Sequence, residues 1–166
     1  VDLQTGQINS LEALVRWQDE DLGQVAPARF IPIAETLGLI HQLGQQVLRQ
    51  VCHQLQHWGS VAVPVAVNIS AKELADPLFL PQLKQILTET AVDPQLLELE
   101  ITESCLLPER AIQTQQVLQQ LRQLGIRLAI DDFGTGYSSL SYLRHLPINS
   151  LKIDRSFIKT LPDNTN

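Results

Sequence analysis

Four carboxylates, an amide and two cations recur at similar places along this chain, and together they could do phosphate chemistry. Glu12, Glu100, Asp131 and Asp132 join Asn68 in a hard, all-oxygen donor set. Such a set, with no histidine or cysteine in it, suits magnesium or manganese rather than zinc or copper. Four negative ligands balance two divalent ions. Two ions a few ångströms apart could bind the non-bridging oxygens of a phosphodiester, generate a hydroxide and stabilise the leaving oxygen. Arg16 could grip a phosphate oxygen, and Lys152 could orient the attacking water or neutralise transition-state charge.

Taken singly, each acid has a plainer reading as a solvated surface group, a helix cap or, for Asp132, a turn residue. Glu98 is expected to be structural although it shares a face with Glu100, and Asp154 with Arg155 could simply pair. Repetition favours chemistry: each expected strand brings a ligand-type residue to the same end. The stretch "LAIDDFGTGYSSLSYL" (128–143) is the sharpest case. Adjacent aspartates closing an apolar run are costly unless something cationic meets them.

The elements that would position these residues alternate. A first strand is expected over 8–17, where alternation puts Glu12 and Arg16 on the same side. "APARFIPIAETLG" reads as a short helix, with Pro27 in its first turn and Gly38 closing it. Ile40, Leu43, Val47, Val51, Leu55 and Trp58 mark one face of a longer helix. "VAVPVAVNIS" is a buried parallel strand ending at Asn68. Helix 78–90, strand 96–104, the helix "ERAIQTQQVLQQLRQLG", strand 126–132, short helix 138–146 and strand 150–158 follow.

Five strands separated by helices on short connections imply a parallel α/β architecture. Polar residues at the C-terminal strand ends suit a barrel, although periodicity alone leaves an open doubly wound sheet possible. A closed barrel has eight strands in about 250 residues, so the 166 residues are expected to hold part of one.

Bulk properties narrow the classes. A hydrophobic share of 44% with 18% charged residues describes a globular chain. The net charge of −6 argues against a partner that is a nucleic acid polymer, since phosphate backbones need a basic surface. No apolar run reaches the ~18 residues of a membrane span, and no signal peptide opens the chain. Cys52 and Cys105 lack metal-type spacing and read as unlinked thiols of a cytoplasmic protein. The chain begins at Val1 and contains no methionine, so it reads as a piece of something longer. Two decoys are set aside: His53 and His57 lack the glutamate of a metalloprotease motif. "GTGYSS" lacks the third glycine of a dinucleotide loop, and its preceding acids would repel a pyrophosphate.

The stretches "LEALVR" (11–16), "FIPIAETLGLI" (30–40), "VNIS" (67–70), "LELEITES" (97–104), "IDDFGTGYSSLSYL" (130–143) and "LKIDRSFI" (151–158) together resemble the EAL domain family. These are bacterial phosphodiesterases that open cyclic di-GMP to linear pGpG. The resemblance runs through nearly the whole chain in the family's order. It implies a TIM-type (β/α) barrel with an antiparallel first strand and a two-metal magnesium or manganese site. By motif position it implies Glu12, Asn68, Glu100 and Asp131 as metal ligands, with Asp132 serving the second metal. Lys152 matches the lysine that supports the nucleophilic water, and Arg16 the phosphate-binding arginine. Glu103 matches the second acid of the E-x-T-E motif, which anchors the loop "DDFGTGYSSL" associated with dimer contacts.

The resemblance further implies a homodimer and an adjoining sensor or GGDEF-type domain. It places the family's first strand before Val1. Its last strands, with another catalytic glutamate and a glutamine–glycine motif, would fall after Asn166. Residues 1–166 are therefore expected to be a partial EAL domain. Hydrolysis is the leading expectation for the parent domain. The alternative is an inactive cyclic di-GMP sensor or regulatory module, which missing metal ligands would favour.

Overall fold

The computed structural model describes residues 1–106, 111–134 and 146–157. The chain enters through β1 (Leu11–Ala13), then forms an antiparallel hairpin from β2 (Trp17–Asp19) and β3 (Gly23–Val25). Helices α1 (Pro27–Thr36) and α2 (Ile40–Trp58) lead to β4 (Val65–Ile69). The one-turn α3 (Ala71–Leu74) and α4 (Phe79–Thr90) precede β5 (Leu97–Thr102). Helix α5 (Ala111–Gln123) is followed by β6 (Arg127–Phe133) and β7 (Ser150–Ile153).

Strands β1, β4, β5, β6 and β7 form one sheet in that spatial order, and every pairing is parallel. The order follows the chain without reversal. A doubly wound sheet would reverse at a switch point, whereas a barrel advances strand by strand. The α/β fold is therefore a curled half-barrel of the TIM kind. The antiparallel strand that the resemblance puts before β1 is not among the described elements.

Alternation along the strands gives the sheet two unlike faces. Val65, Val67, Ile69, Leu97, Leu99, Ile101, Leu128 and Ile130 pack with α2, α4 and α5 in one core. Leu48, Cys52 and Leu55 of α2, Leu83 and Ile86 of α4, and Leu118 and Leu121 of α5 complete it. The α2 contribution recurs every three or four residues, the spacing that a half-buried helix requires. The opposite face carries Glu12, Asn68, Glu98, Glu100, Arg127 and Asp131, as the register pairs Asn68 with Glu100 and Glu98 with Arg127.

Two expected strands are shorter than their apolar patterns. The 8–17 segment pairs with β4 only from Leu11 to Ala13. Its continuation leaves the sheet because Trp17 belongs to the hairpin and sets its ring edge-on against Phe30 at 5.7 Å. Glu12 and Arg16 therefore do not share a strand. The last strand stops at Ile153, where the Asp154 carboxylate accepts the Ser156 amide at 2.8 Å and turns the chain. Position 158 lies outside the described residues. So do all but the last residue of the expected helix 138–146, positions 135 to 145 as a whole, and positions 109 and 110 at the start of the expected helix "ERAIQTQQVLQQLRQLG".

The remaining helices follow their punctuation. Pro27 opens α1 at a position where its missing N–H costs nothing. Gly38, at φ 71°, lets the chain turn out of α1 into α2.

Candidate active site

The inner face gathers its charges at the C-terminal ends of the strands. Lys152 of β7 places its ammonium 2.7 Å from Glu100, 3.5 Å from Glu12 and 3.5 Å from Asp131. Glu12 comes from β1, Glu100 from β5 and Asp131 from β6, so the cluster spans the sheet from edge to edge. Asn68, at the end of β4, donates from Nδ2 to Glu12 Oε1 at 2.9 Å. Four expected ligands and the expected lysine are thus brought together by five separate strands.

Their protonation follows from burial and mutual charge. The Glu100 side chain is only 3% exposed. Burial pushes its carboxyl above the ordinary value, against the pull of Lys152, while Glu12 and Asp131 push it further up. For Lys152 burial pulls downward, but the hydrogen bond and charge of Glu100, with Asp131 and Glu12, outweigh it and raise the ammonium. The two directions are compatible. The buried carboxylate has more water to lose than the half-exposed lysine, which faces three acids at once.

The other expected residues sit at the margins. Asp132 is exposed, at φ 51°, and the strand register is irregular between Ile130 and Phe133. Burial, Asp131 and Asp154 raise its carboxyl. Glu103 is buried and accepts the Gly134 amide on Oε2 at 3.0 Å, which ties it to the start of the loop after β6. Arg16 follows β1 and donates to the Val15 carbonyl at 2.9 Å. Below the cluster, Glu98 pairs with Arg127 at 3.1 Å and is structural in that sense. His53 and His57 are exposed on α2.

A cleft of about 570 Å³ opens beside the cluster, between the ends of β4 and β5 and the helices α1 and α2. Arg16, Asn68 and Glu100 line its polar side, and Ile31, Leu43 and Val47 its apolar side. That mixture fits a ligand with both a polar, charged part and an apolar part.

The donor set also fits hard divalent cations. Glu12, Glu100 and Asp131 supply carboxylate oxygens, and three carboxylates against one ammonium leave a surplus of negative charge. Among the described residues no three His, Cys, Asp or Glu side chains stand ready as a metal cage. Lys152 is the cation that these acids share in this arrangement.

Glu73 is a residue that the sequence reading passes over. It is 5% exposed, and its carboxylate accepts the amide of Ser70 at 2.9 Å and its hydroxyl at 2.7 Å. Burial raises this carboxyl and the two Ser70 bonds lower it, with burial prevailing. A signal was available: "SAKE", directly after "VNI", is a capping box.

A curled parallel α/β sheet with acids, an amide and a lysine at its C-terminal strand ends defines a class, the barrel-type α/β protein. The chain belongs to the EAL domain family, whose model matches residues 1–166. It is 44% identical over 163 residues to the cyclic di-GMP phosphodiesterase NbdA of Pseudomonas aeruginosa, covering 96% of this chain and 21% of that protein. To the cyclic di-GMP phosphodiesterase PdeR of Escherichia coli it is 44% identical over 158 residues, covering 94% and 24%. Among solved structures, the PaMucR phosphodiesterase in its c-di-GMP complex superposes with a TM-score of 0.86 at 41% identity. That match covers 93% of this chain and 63% of the other. The EAL enzyme Bd1971 in its cAMP- and cyclic-di-GMP-bound form gives 0.89 at 30% identity, covering 99% and 46%. The chain spans about a quarter of the length of such curated relatives.

Proposed function

We propose that this chain carries the metal-binding part of a phosphodiesterase that hydrolyses cyclic di-GMP to linear pGpG in bacterial second-messenger signalling. The observation that carries this is the convergence of Glu12, Asn68, Glu100, Asp131 and Lys152 at one end of five parallel strands. Relatives at 44% identity named as cyclic di-GMP phosphodiesterases support the same substrate.

In this reading Glu12, Asn68, Glu100 and Asp131 hold magnesium or manganese, and Asp132 serves a second ion. The metals supply charge neutralisation at the phosphodiester and a water activated for attack. Arg16, on the cleft wall, binds a phosphate oxygen of the substrate. Lys152 would donate to the attacking water and keep positive charge beside the phosphate. Glu103 holds the Gly134 amide, and so steadies the end of the stretch that carries Asp131 and Asp132.

The working protein would be cytoplasmic, since its two buried free thiols suit a reducing compartment. No helix among the described residues is long and apolar enough to cross a membrane. A homodimer joined through the loop after β6, and an adjoining sensor or GGDEF-type domain, complete the proposal.

The test is incubation with cyclic di-GMP and manganese, with chromatography for pGpG. Product that a chelator abolishes is the expected result for the protein carrying this domain. Glu12→Ala in that protein should reduce turnover by at least a hundredfold while far-UV circular dichroism stays unchanged. Undiminished turnover in that variant would sink the metal assignment.

A further inference from the structure

We propose that Gly44 and Glu73 form a positioning pair that holds the end of β4, and with it Asn68, for binding of a divalent cation. The inference rests on the metal-site reading above.

The observation begins with two sequence choices that look unfavourable. Gly44 sits in the second turn of the 19-residue helix α2, and glycine inside a helix costs stability relative to alanine. Glu73 is a buried carboxylate, and burial disfavours its charge. The structure joins them. A Cβ built on Gly44 falls on Glu73 Oε1 and comes within 2.8 Å of Cδ, so a side chain there would displace this carboxylate from its place against α2. An interior helical glycine with such a neighbour has a packing reason for being there.

The carboxylate thus pinned against α2 has its other oxygen on Ser70. Oε2 accepts both the Ser70 amide and the Ser70 hydroxyl, and the same hydroxyl accepts the Glu73 amide at 3.2 Å. Ser70 directly follows β4 and stands two residues beyond Asn68. Its amide lies just past the last paired residue of β4, Ile69, and donates to Glu73 Oε2. Lys72 adds a second tie by donating to the Glu35 carbonyl at 2.9 Å, which fastens α3 to α1.

Gly44, Ser70 and Glu73 line the same cleft as Asn68 and Glu100. Removing the Glu73 carboxylate would free the strand end at the point where Asn68 must present its amide. Groups that orient a metal ligand in this way commonly change metal affinity tenfold or more when lost. Glu73 holds the strand end through Ser70 and is not one of the expected metal ligands. It is a positioning residue.

The probe is Mn2+ alone, titrated into the chain while free Mn2+ is read by electron paramagnetic resonance. Wild type should bind and Glu12→Ala should not. Glu73→Ala and Gly44→Ala should weaken binding about tenfold. Glu73→Gln keeps an acceptor in the capping box and should bind as wild type does. Should Gly44→Ala fail to fold, the two Glu73 variants carry the test. Glu73→Ala with a lowered melting temperature but wild-type Mn2+ affinity overturns the positioning role and leaves the metal site standing. Absence of Mn2+ binding by wild type overturns the metal site itself, and this proposal with it.

Discussion

Lys152 shows how one residue takes its character from tertiary neighbours. In sequence it is a lysine on a short apolar strand, and in space it faces three carboxylates from three other strands. Cys52 shows the opposite dependence, on burial alone. It is fully buried in the core, and burial pushes its thiol up to about 11 while the Thr90 side chain pulls the other way. An unfolded thiol titrates at about 8.5. The folded value is the higher one, so this group favours the fold below the unfolded value, and the contribution is lost as the pH rises through about 11. Urea midpoints should therefore fall more between pH 8 and pH 11 in wild type than in Cys52→Ala. Equal falls would show that Cys52 does not titrate this way. Little of this was legible beforehand. The sequence shows a cysteine on a helix, but not which residues exclude its water.

At the scale of elements, the sheet works because each strand has one face for the helices and one for the site. Leu99 of β5 is 1% exposed among helices and neighbouring strands, while Glu98 and Glu100 beside it point the other way. Leu99→Ala should lower unfolding free energy by about 2–5 kcal/mol, through lost burial and a cavity that cannot collapse. Gln56→Ala, on the exposed side of α2, should change it by less than about 0.5 kcal/mol. Denaturant titrations decide, and similar losses for both would mean that β5 is not central to the core. Strand alternation and helix spacing were legible because they are local. The β2–β3 hairpin escaped, since its departure depends on Trp17 finding Phe30 across a turn. The capping box after β4 was legible in principle, but the link of its Glu73 to Gly44 was not, as the two lie 29 positions apart in sequence.

Across the whole molecule the described sheet has two outer strands, β1 and β7. Leu11 on one is 40% exposed, and Leu151 and Ile153 on the other are 42% and 65% exposed. Unpaired edges with apolar neighbours invite pairing with another chain. The chain studied alone should self-associate with rising concentration in sedimentation velocity, and Ile153→Lys should reduce that association. A monomer at every concentration would mean that these edges do not pair in solution, with the net charge of −6 opposing association.

The sequence by itself determined the α/β alternation, the five parallel strands and the residue types at their ends. These depend on local periodicity and on chemistry that each side chain carries alone. The tertiary structure decided which of those residues meet. Strand register set Asn68 beside Glu100, the order of the sheet brought Lys152 within reach of Glu12, and an early end to β1 took Arg16 off the strand. It also decided that Glu100 is buried and that Asp132 is not. Proximity between residues distant in the chain is a property of packing, and packing is settled only when all the elements are in place.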